Sequence, residues 1–464
     1  MSFTSYAYLL FFAGVFACYW VVRKRSVQNV LLLAASYFFF GFVHPWFCLL
    51  LAASNVTDYF CALGIRRHAG FRKLFLTISV SANLAVLGFF KYFNFFSENF
   101  RHAAGLIGIQ LDAVTLNIIL PVGISFYTFK SISYVVDVFR GKIEPRRNII
   151  DFALYVAFFP ELAAGPIDRA RDLLPQIEKE RRWKWDMFFS AWPLLLSGYV
   201  KKMVIADNIA VYVNKIFLLE QPSFFILLTG GVAFTVQILA DFSGYTDMAR
   251  GFGKLLGFDL AENFRSPYLA VSPSDFWRRW HITFSTWIRD YVYIPLGGSR
   301  VDTRLKFAAV LVVTLGLSGL WHGADWNFIV WGIYHGVLLF IYHSLGMGGR
   351  WVPRTWIKKT TACFVMFVLA AIGWTIFRAP GMDWLVRVLL SGGMQPGFEE
   401  DSLAAGLVVL SFTLIYSLPL FILLFISRFV PDRKWAHSLI HAAFVILLIV
   451  FFQDSRQDFI YFQF

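Results

Sequence analysis

Apolar runs long enough to cross a hydrocarbon core of roughly 30 Å recur along the whole chain. They fall at residues 6–22, 28–43, 46–64, 74–93, 116–137, 190–206, 223–242, 305–321, 326–345, 361–378, 404–427 and 436–452. This pattern predicts an all-α polytopic membrane protein with roughly ten to twelve spans. Some runs are short or interrupted, as by Pro121 and Gly123. These predict re-entrant segments enclosed by protein, because a broken helix facing lipid leaves backbone groups unsatisfied. Two segments depart from the apolar rhythm. Residues 140–188 form the longest polar stretch, and residues 272–300 mix aromatic and charged side chains too finely for lipid. With no Gly/Ser linker and no repeat of fixed period, one membrane domain over residues 1–464 is the simplest organisation.

Composition agrees with that reading. The chain is 58% hydrophobic and 15% charged, against about 25% charged in a soluble domain, and its mean hydropathy is +0.61. The 53 Phe and 16 Trp residues suit lipid-facing helices and interfacial belts. A formal charge of +13 raises the question of nucleic acid, but the distribution argues against it. The basic residues sit in short clusters between apolar runs: Arg23-Lys24-Arg25, Arg66-Arg67, Arg146-Arg147, Lys201-Lys202, Lys358-Lys359 and Arg433-Lys434. That is the positive-inside pattern, with membrane lipid as the partner. The opening Met1-Ser-Phe-Thr-Ser-Tyr-Ala has no basic residue, so the N-terminus is expected outside and Arg23-Lys24-Arg25 in the cytoplasm. Without a charged leader region the first run reads as a retained span. Cys18, Cys48, Cys61 and Cys363 lie in apolar runs with no C-x-x-C spacing, and are expected as free thiols without a metal.

The chemistry concentrates in two motifs. Asp275-Phe-Trp-Arg-Arg-Trp-His-Ile-Thr-Phe-Ser-Thr-Trp-Ile-Arg-Asp290 crowds Arg278, Arg279, His281 and Arg289 among tryptophans. Ser318-Gly-Leu-Trp-His-Gly323 sets His322 close to the end of an apolar run. An ionisable side chain at membrane depth is costly and marks a functional candidate. Two histidines facing one buried cavity would suit proton transfer to and from a reacting hydroxyl. The bland alternative for His322 is a core histidine bonded to a helix carbonyl. If 277–288 is one helix, residues 277, 281, 284 and 288 share a face while Arg278 and Arg279 point elsewhere. The arginines suit phosphates or an acidic carrier surface, or else a basic helix at the headgroup boundary. Asp241 and Asp247, at the end of a span, are expected to pair with Arg250 or with Arg278 and Arg279. Trp280, Trp321 and Trp326 are expected to exclude water, and His335 to be structural. Phosphate-loop, H-E-x-x-H and G-x-S-x-G motifs are absent.

The sequence resembles the membrane-bound O-acyltransferase family, in its bacterial alginate O-acetylation branch. The blocks that carry the resemblance are Ser125-Phe-Tyr-Thr-Phe, Phe159-Pro-Glu-Leu-Ala-Ala-Gly-Pro-Ile, Asp241-Phe-Ser-Gly-Tyr-Thr-Asp-Met-Ala, Asn263-Phe-Arg-Ser-Pro-Tyr, Phe276-Trp-Arg-Arg-Trp-His-Ile-Thr, Leu320-Trp-His-Gly and Phe459-Ile-Tyr-Phe-Gln-Phe464. Glu161, Arg265 and Phe284 depart from the expected Gln, small polar residue and Leu. The resemblance implies peripheral N-terminal spans (1–115), a core (116–346) and C-terminal spans (347–464), with re-entrant segments around a central tunnel. It implies His322 as the central catalytic histidine and His281 as a second, upstream one. Arg278, Arg279, Trp280, Trp321, Asp241 and Trp326 are the expected substrate-binding residues.

On that resemblance an acyl thioester, acetyl-CoA in the simplest case, enters from the cytoplasm as donor substrate, with no bound cofactor. The acceptor is an extracytoplasmic polysaccharide, reached through a separate periplasmic esterase-like partner protein. The location implied is the bacterial inner membrane. A D-alanyl transferase of the lipoteichoic-acid type, using a carrier-protein thioester, shares the layout and is the alternative. A transporter is disfavoured, since no inverted repeat with paired broken helices is found.

Overall fold

The computed structural model describes residues 1–112, 114–390, 400–430, 434–451 and 459–460. Among these residues there are helices and connecting segments but no strand. Six helices are long and apolar enough to cross a membrane: Phe47–Arg67, Ala69–Leu106, Phe224–Leu255, Arg304–His322, Trp356–Arg378 and Asp401–Ile426. Shorter apolar helices are Tyr6–Val21 and Trp435–Phe451. The all-α membrane architecture expected from the apolar rhythm is what the chain adopts.

Several predicted runs take a different form. Residues 116–137 are not one helix: the helix begins at Ile124 and ends at Phe139. Pro121 offers no amide hydrogen and Gly123 sits in the left-handed region at φ 82°, so the backbone turns before it coils. The runs at 190–206 and 223–242 belong to longer helical stretches. Trp185–Tyr199 continues through a π-helical turn, Val200–Ala206, into Asp207–Phe217, and Phe224–Leu255 carries on well past residue 242. Asp241 therefore lies inside a helix, not at its end.

The described chain falls into two compact units: residues 3–191 with 252–261, and residues 192–251 with 262–464. In the first, the long polar stretch folds into short helices, Ile149–Ala157, Phe159–Leu162 and Ala170–Glu178, that are mostly buried. Several of its buried polar groups are partnered inside. Lys130 pairs with Glu161, Asn29 donates to Asp151 at 2.7 Å, and Arg181 donates to the Tyr19 hydroxyl at 2.6 Å. Asp58 accepts from Ser79 at 2.5 Å and from Asn83 at 2.8 Å. Within this stretch Asp151, Glu161, Asp168, Arg169 and Arg181 are buried, while most of its other charged side chains face outward.

The second unit carries the candidate chemistry on a helical hairpin, Arg304–His322 and Trp326–Ser344. Only the three residues 323–325 join the two helices, so they pack antiparallel along their length. Glycine sets their spacing. A β-carbon on Gly319 would overlap the Phe328 carbonyl, and one on Gly332 would overlap the Leu315 carbonyl. Small residues let membrane helices approach to backbone contact, where dispersion replaces the missing hydrophobic drive.

Gly332→Val should therefore force the hairpin apart and cost about 1–3 kcal/mol, the usual range for overpacking. Thermal unfolding of the detergent-solubilised variant should show a lowered midpoint. An unchanged midpoint would mean the hairpin yields without cost.

Candidate active site

His281 is placed by a backbone clamp. The Ile282 amide donates to the Asn263 carbonyl at 2.9 Å, and the Arg265 amide to the Arg279 carbonyl at 2.9 Å. Between these ties His281 adopts φ 42°, ψ 55°, immediately before the helix Ile282–Ile288. A non-glycine residue in the left-handed region costs roughly 1–2 kcal/mol and persists only where its surroundings over-determine it. This break corrects the single-helix expectation. Trp277 ends one short helix, Pro273–Trp277, and Phe284 belongs to the next, so residues 277, 281, 284 and 288 do not form one helical face.

The Asn263 side chain fixes the imidazole. Its Oδ1 accepts from the Thr283 amide at 3.2 Å and the Thr283 hydroxyl at 2.8 Å. His281 Nδ1 lies 3.2 Å from the same oxygen and must donate to it. The lone pair is then on Nε2, which makes no hydrogen bond among the described residues. Burial pushes the His281 imidazole far below its ordinary pKa range, so the ring is neutral. The residue lies outside the six span-length helices.

His322 is the last residue of the helix Arg304–His322 and is buried. The rings packed around it include Trp321 at 4.7 Å, Trp331 at 5.1 Å and perpendicular, Phe377 at 5.4 Å, and Phe284 at 5.5 Å between centroids. His281 touches two of the same rings, Phe284 at 5.0 Å and Trp321 at 6.1 Å. The two histidines are thus brought together around the Phe284–Trp321 stack, whose ring centroids are 4.2 Å apart.

A cavity of about 960 Å³ opens beside this cluster. Four arginines line it, Arg265, Arg278, Arg279 and Arg289, together with Asp275, which pairs with Arg278 at 3.2 Å and Arg279 at 3.0 Å. The wall runs along one helix from Phe307 to Ser318, about 16 Å at 1.5 Å per residue. Thr314 and Ser318 are buried there, and their hydroxyls make no hydrogen bond among the described residues. Neither histidine forms the wall. Phe284 and Ser318 do, and His322 lies one helical turn beyond Ser318.

The other expected residues divide. Arg278 and Arg279 face the cavity, while Trp280 is fully buried against Phe276 and Trp374 and does not line it. Trp321 is buried at the histidines, but Trp326 is 50% exposed at the start of its helix and cannot keep water from them. Trp331 and Phe377 occupy the shielding positions instead. Asp241 pairs with neither Arg278 nor Arg279. It sits 2.7 Å from Lys202, which also reaches Asp207 at 2.8 Å, and it accepts from the Ile460 amide at 2.8 Å. Asp247 pairs with Lys201 at 2.5 Å and, as expected, with Arg250, at 3.9 Å. His335 is buried between Phe276, Trp277 and Trp331, with no hydrogen bond at either nitrogen among the described residues. Of the terminal block, Tyr461 to Phe464 lie outside the described residues.

Sequence reading missed Asn263, Phe284, Ser318 and Trp331 as site residues. A signal existed for Ser318, four residues before His322 and on the same helical face. None existed for Trp331, whose place depends on the hairpin. Its indole N–H is buried without a hydrogen bond among the described residues. It is a candidate donor to a developing oxyanion.

The model of the MBOAT, or membrane-bound O-acyltransferase, family matches residues 37–381. The chain belongs to this family. Among similar proteins is the probable alginate O-acetylase AlgI of Azotobacter vinelandii, 42% identical over 82% of this chain and 76% of the relative. The peptidoglycan O-acetyltransferase of Helicobacter pylori is 34% identical over 82% and 76%. The teichoic acid D-alanyltransferase of Bacillus subtilis is 26% identical over 56% and 69%. The resemblance read from the motifs is borne out, and the protein is a membrane-bound O-acyltransferase.

Within this acyltransferase, Lys202→Met should leave Asp241 and Asp207 without their shared cation. Breaking a buried pair by removing one partner costs about 3–5 kcal/mol. Thermal unfolding should register that loss. A stable Lys202→Met protein with raised KM would instead make Lys202 a substrate contact.

Proposed function

We propose that this chain takes an acetyl group from a cytoplasmic thioester, acetyl-CoA in the simplest case, and passes it across the bacterial inner membrane for O-acetylation of an extracytoplasmic polysaccharide. The observation that carries this reading is the cavity whose outer wall is rich in arginine and whose inner wall, at Phe284 and Ser318, abuts both histidines. Guanidinium forks suit phosphates, and a pantetheine arm is comparable in length to the wall between Phe307 and Ser318. The basic residues Arg304 and Lys306 begin that helix and His322 ends it. Under the positive-inside rule the cavity then opens to the cytoplasm, with the N-terminus outside.

In this mechanism His322 is the general base. It takes the proton from the acceptor hydroxyl as the oxygen attacks the thioester carbonyl. The tetrahedral oxyanion collapses, the carbon–sulfur bond breaks, and the imidazolium returns the proton to the leaving thiolate. The Trp331 indole N–H is the proposed oxyanion donor. His281, neutral and held by Asn263, orients the reacting groups through Nε2. A periplasmic esterase-like partner completes transfer to the polymer. The Bacillus subtilis relative supports one second reading, D-alanyl transfer from a carrier-protein thioester.

His322→Ala, at normal protein level, should lower O-acetyl content of surface polysaccharide at least ~100-fold, the low end of general-base effects. Unchanged acetylation with loss of D-alanyl esters would establish the second reading. The double variant Arg278→Gln/Arg279→Gln should raise KM for acetyl-CoA tenfold or more, as charged hydrogen bonds of about 1.5–3 kcal/mol are lost. KM for a phosphate-free acetyl thioester should not move; an equal rise for both would remove the phosphate role.

A further inference from the structure

The geometry points to Phe284 as the residue that sets the length of the acyl group, restricting the donor to a two-carbon chain. This rests on the reading that the cavity takes an acyl thioester, and deepens it. Phe284 is the ring that belongs both to the cavity wall and to the shell around His322. It is 1% exposed, so little open space remains around it. It lies nearly parallel to Trp321, at 23° and 4.2 Å, and that stack holds the ring in place. The remaining sides of His322 are covered by Trp321, Trp331 and Phe377.

A thioester carbonyl brought to His322 from the cavity must therefore pass Ser318 and place its acyl carbons against Phe284. Of the four rings named around His322, Phe284 lines the cavity, while Trp321, Trp331 and Phe377 do not. A methyl group fits against a ring face. Each added methylene must displace a ring of the stack, and a pocket that excludes one methylene discriminates by about 10–200-fold. Truncation should open space there, because Phe284 packs against the rings of His281, Trp321 and His322.

The test uses membrane vesicles from producing cells, containing the full chain and its natural partners, with radiolabelled acetyl-, propionyl- and butyryl-CoA. Label entering polysaccharide is measured for the wild type, Phe284→Leu and Phe284→Ala. The wild type should transfer acetyl at least ~100-fold better than butyryl. Phe284→Ala should raise the butyryl-to-acetyl ratio tenfold or more, and Phe284→Leu should raise propionyl first. The ratio is internal to each preparation, so lost folded protein lowers both labels equally, and the milder Leu variant keeps the test open if Ala does not accumulate. Phe307→Leu, at the far end of the same wall and about 22 Å along the helix from His322, should leave the ratio where it was. An unchanged ratio in both Phe284 variants overturns the assignment while the acyl-CoA reading stands. A ratio that Phe307→Leu shifts equally also overturns it. Wild-type vesicles that take label from no acyl-CoA overturn the underlying reading, and the assignment with it.

Discussion

The backbone contact between the helices Arg304–His322 and Trp326–Ser344 is the constraint on which the site depends. It exists because Gly319 faces the Phe328 carbonyl and Gly332 faces the Leu315 carbonyl, with no β-carbon on either glycine. That spacing lets Trp331 reach across from one helix to stand perpendicular to His322 on the other. It also leaves Thr314, Ser318 and His322 in successive turns along one face of the first helix. A wider hairpin would separate the indole from the imidazole and open the site to water. Packing and chemistry here are set by the same two glycines.

Buried polarity is handled in two distinct ways. Lys202, Asp241 and Asp207 satisfy one another, as do Lys130 and Glu161, and such groups hold helices together. At membrane depth the alternative to pairing is an uncompensated charge, so these pairs are fixed parts of the fold. The second class is left with capacity to spare. Thr314, Ser318, the Trp331 indole and His281 Nε2 are buried, and none of these atoms has a hydrogen bond among the described residues. A group of that kind costs stability unless something else supplies the partner. These four lie along the cavity wall or around the two histidines, where a bound substrate can supply the partner.

The all-helical membrane architecture was legible because apolar length and helix rise are tied to membrane thickness. His322 was legible because a histidine near the end of an apolar run is costly by itself. The same reasoning misplaced Asp241 for a physical reason. Its partner, Lys202, is on another helix, and no local pattern reports a pairing of that range. Asn263 was hidden because its tie to His281 joins residues far apart in the chain, and Phe284 was set beside His281 only on a false assumption of continuity. Counting a helical face from Trp277 to Ile288 fails once His281 adopts a left-handed backbone, and only the tie between residues 263–265 and 279–282 reveals that break. Trp326 was misjudged because being four residues from His322 in the chain's next helix does not decide direction, and its ring is half-exposed.

The clamp on His281 also bears on the roles proposed for the two histidines. An imidazole whose Nδ1–H is given to Asn263 can accept a proton only at Nε2, and full burial opposes the resulting charge. Such a ring is poorly suited to carry a proton through a catalytic cycle but well suited to accept a hydrogen bond without becoming charged. His322 stands at the end of the helix Arg304–His322, buried among Trp321, Trp331 and Phe377. The backbone strain held at residue 281 keeps the second imidazole in one orientation against Phe284 and Trp321. In the proposed mechanism this neutral, oriented acceptor stands beside the base His322, and each position follows from the residue's own segment.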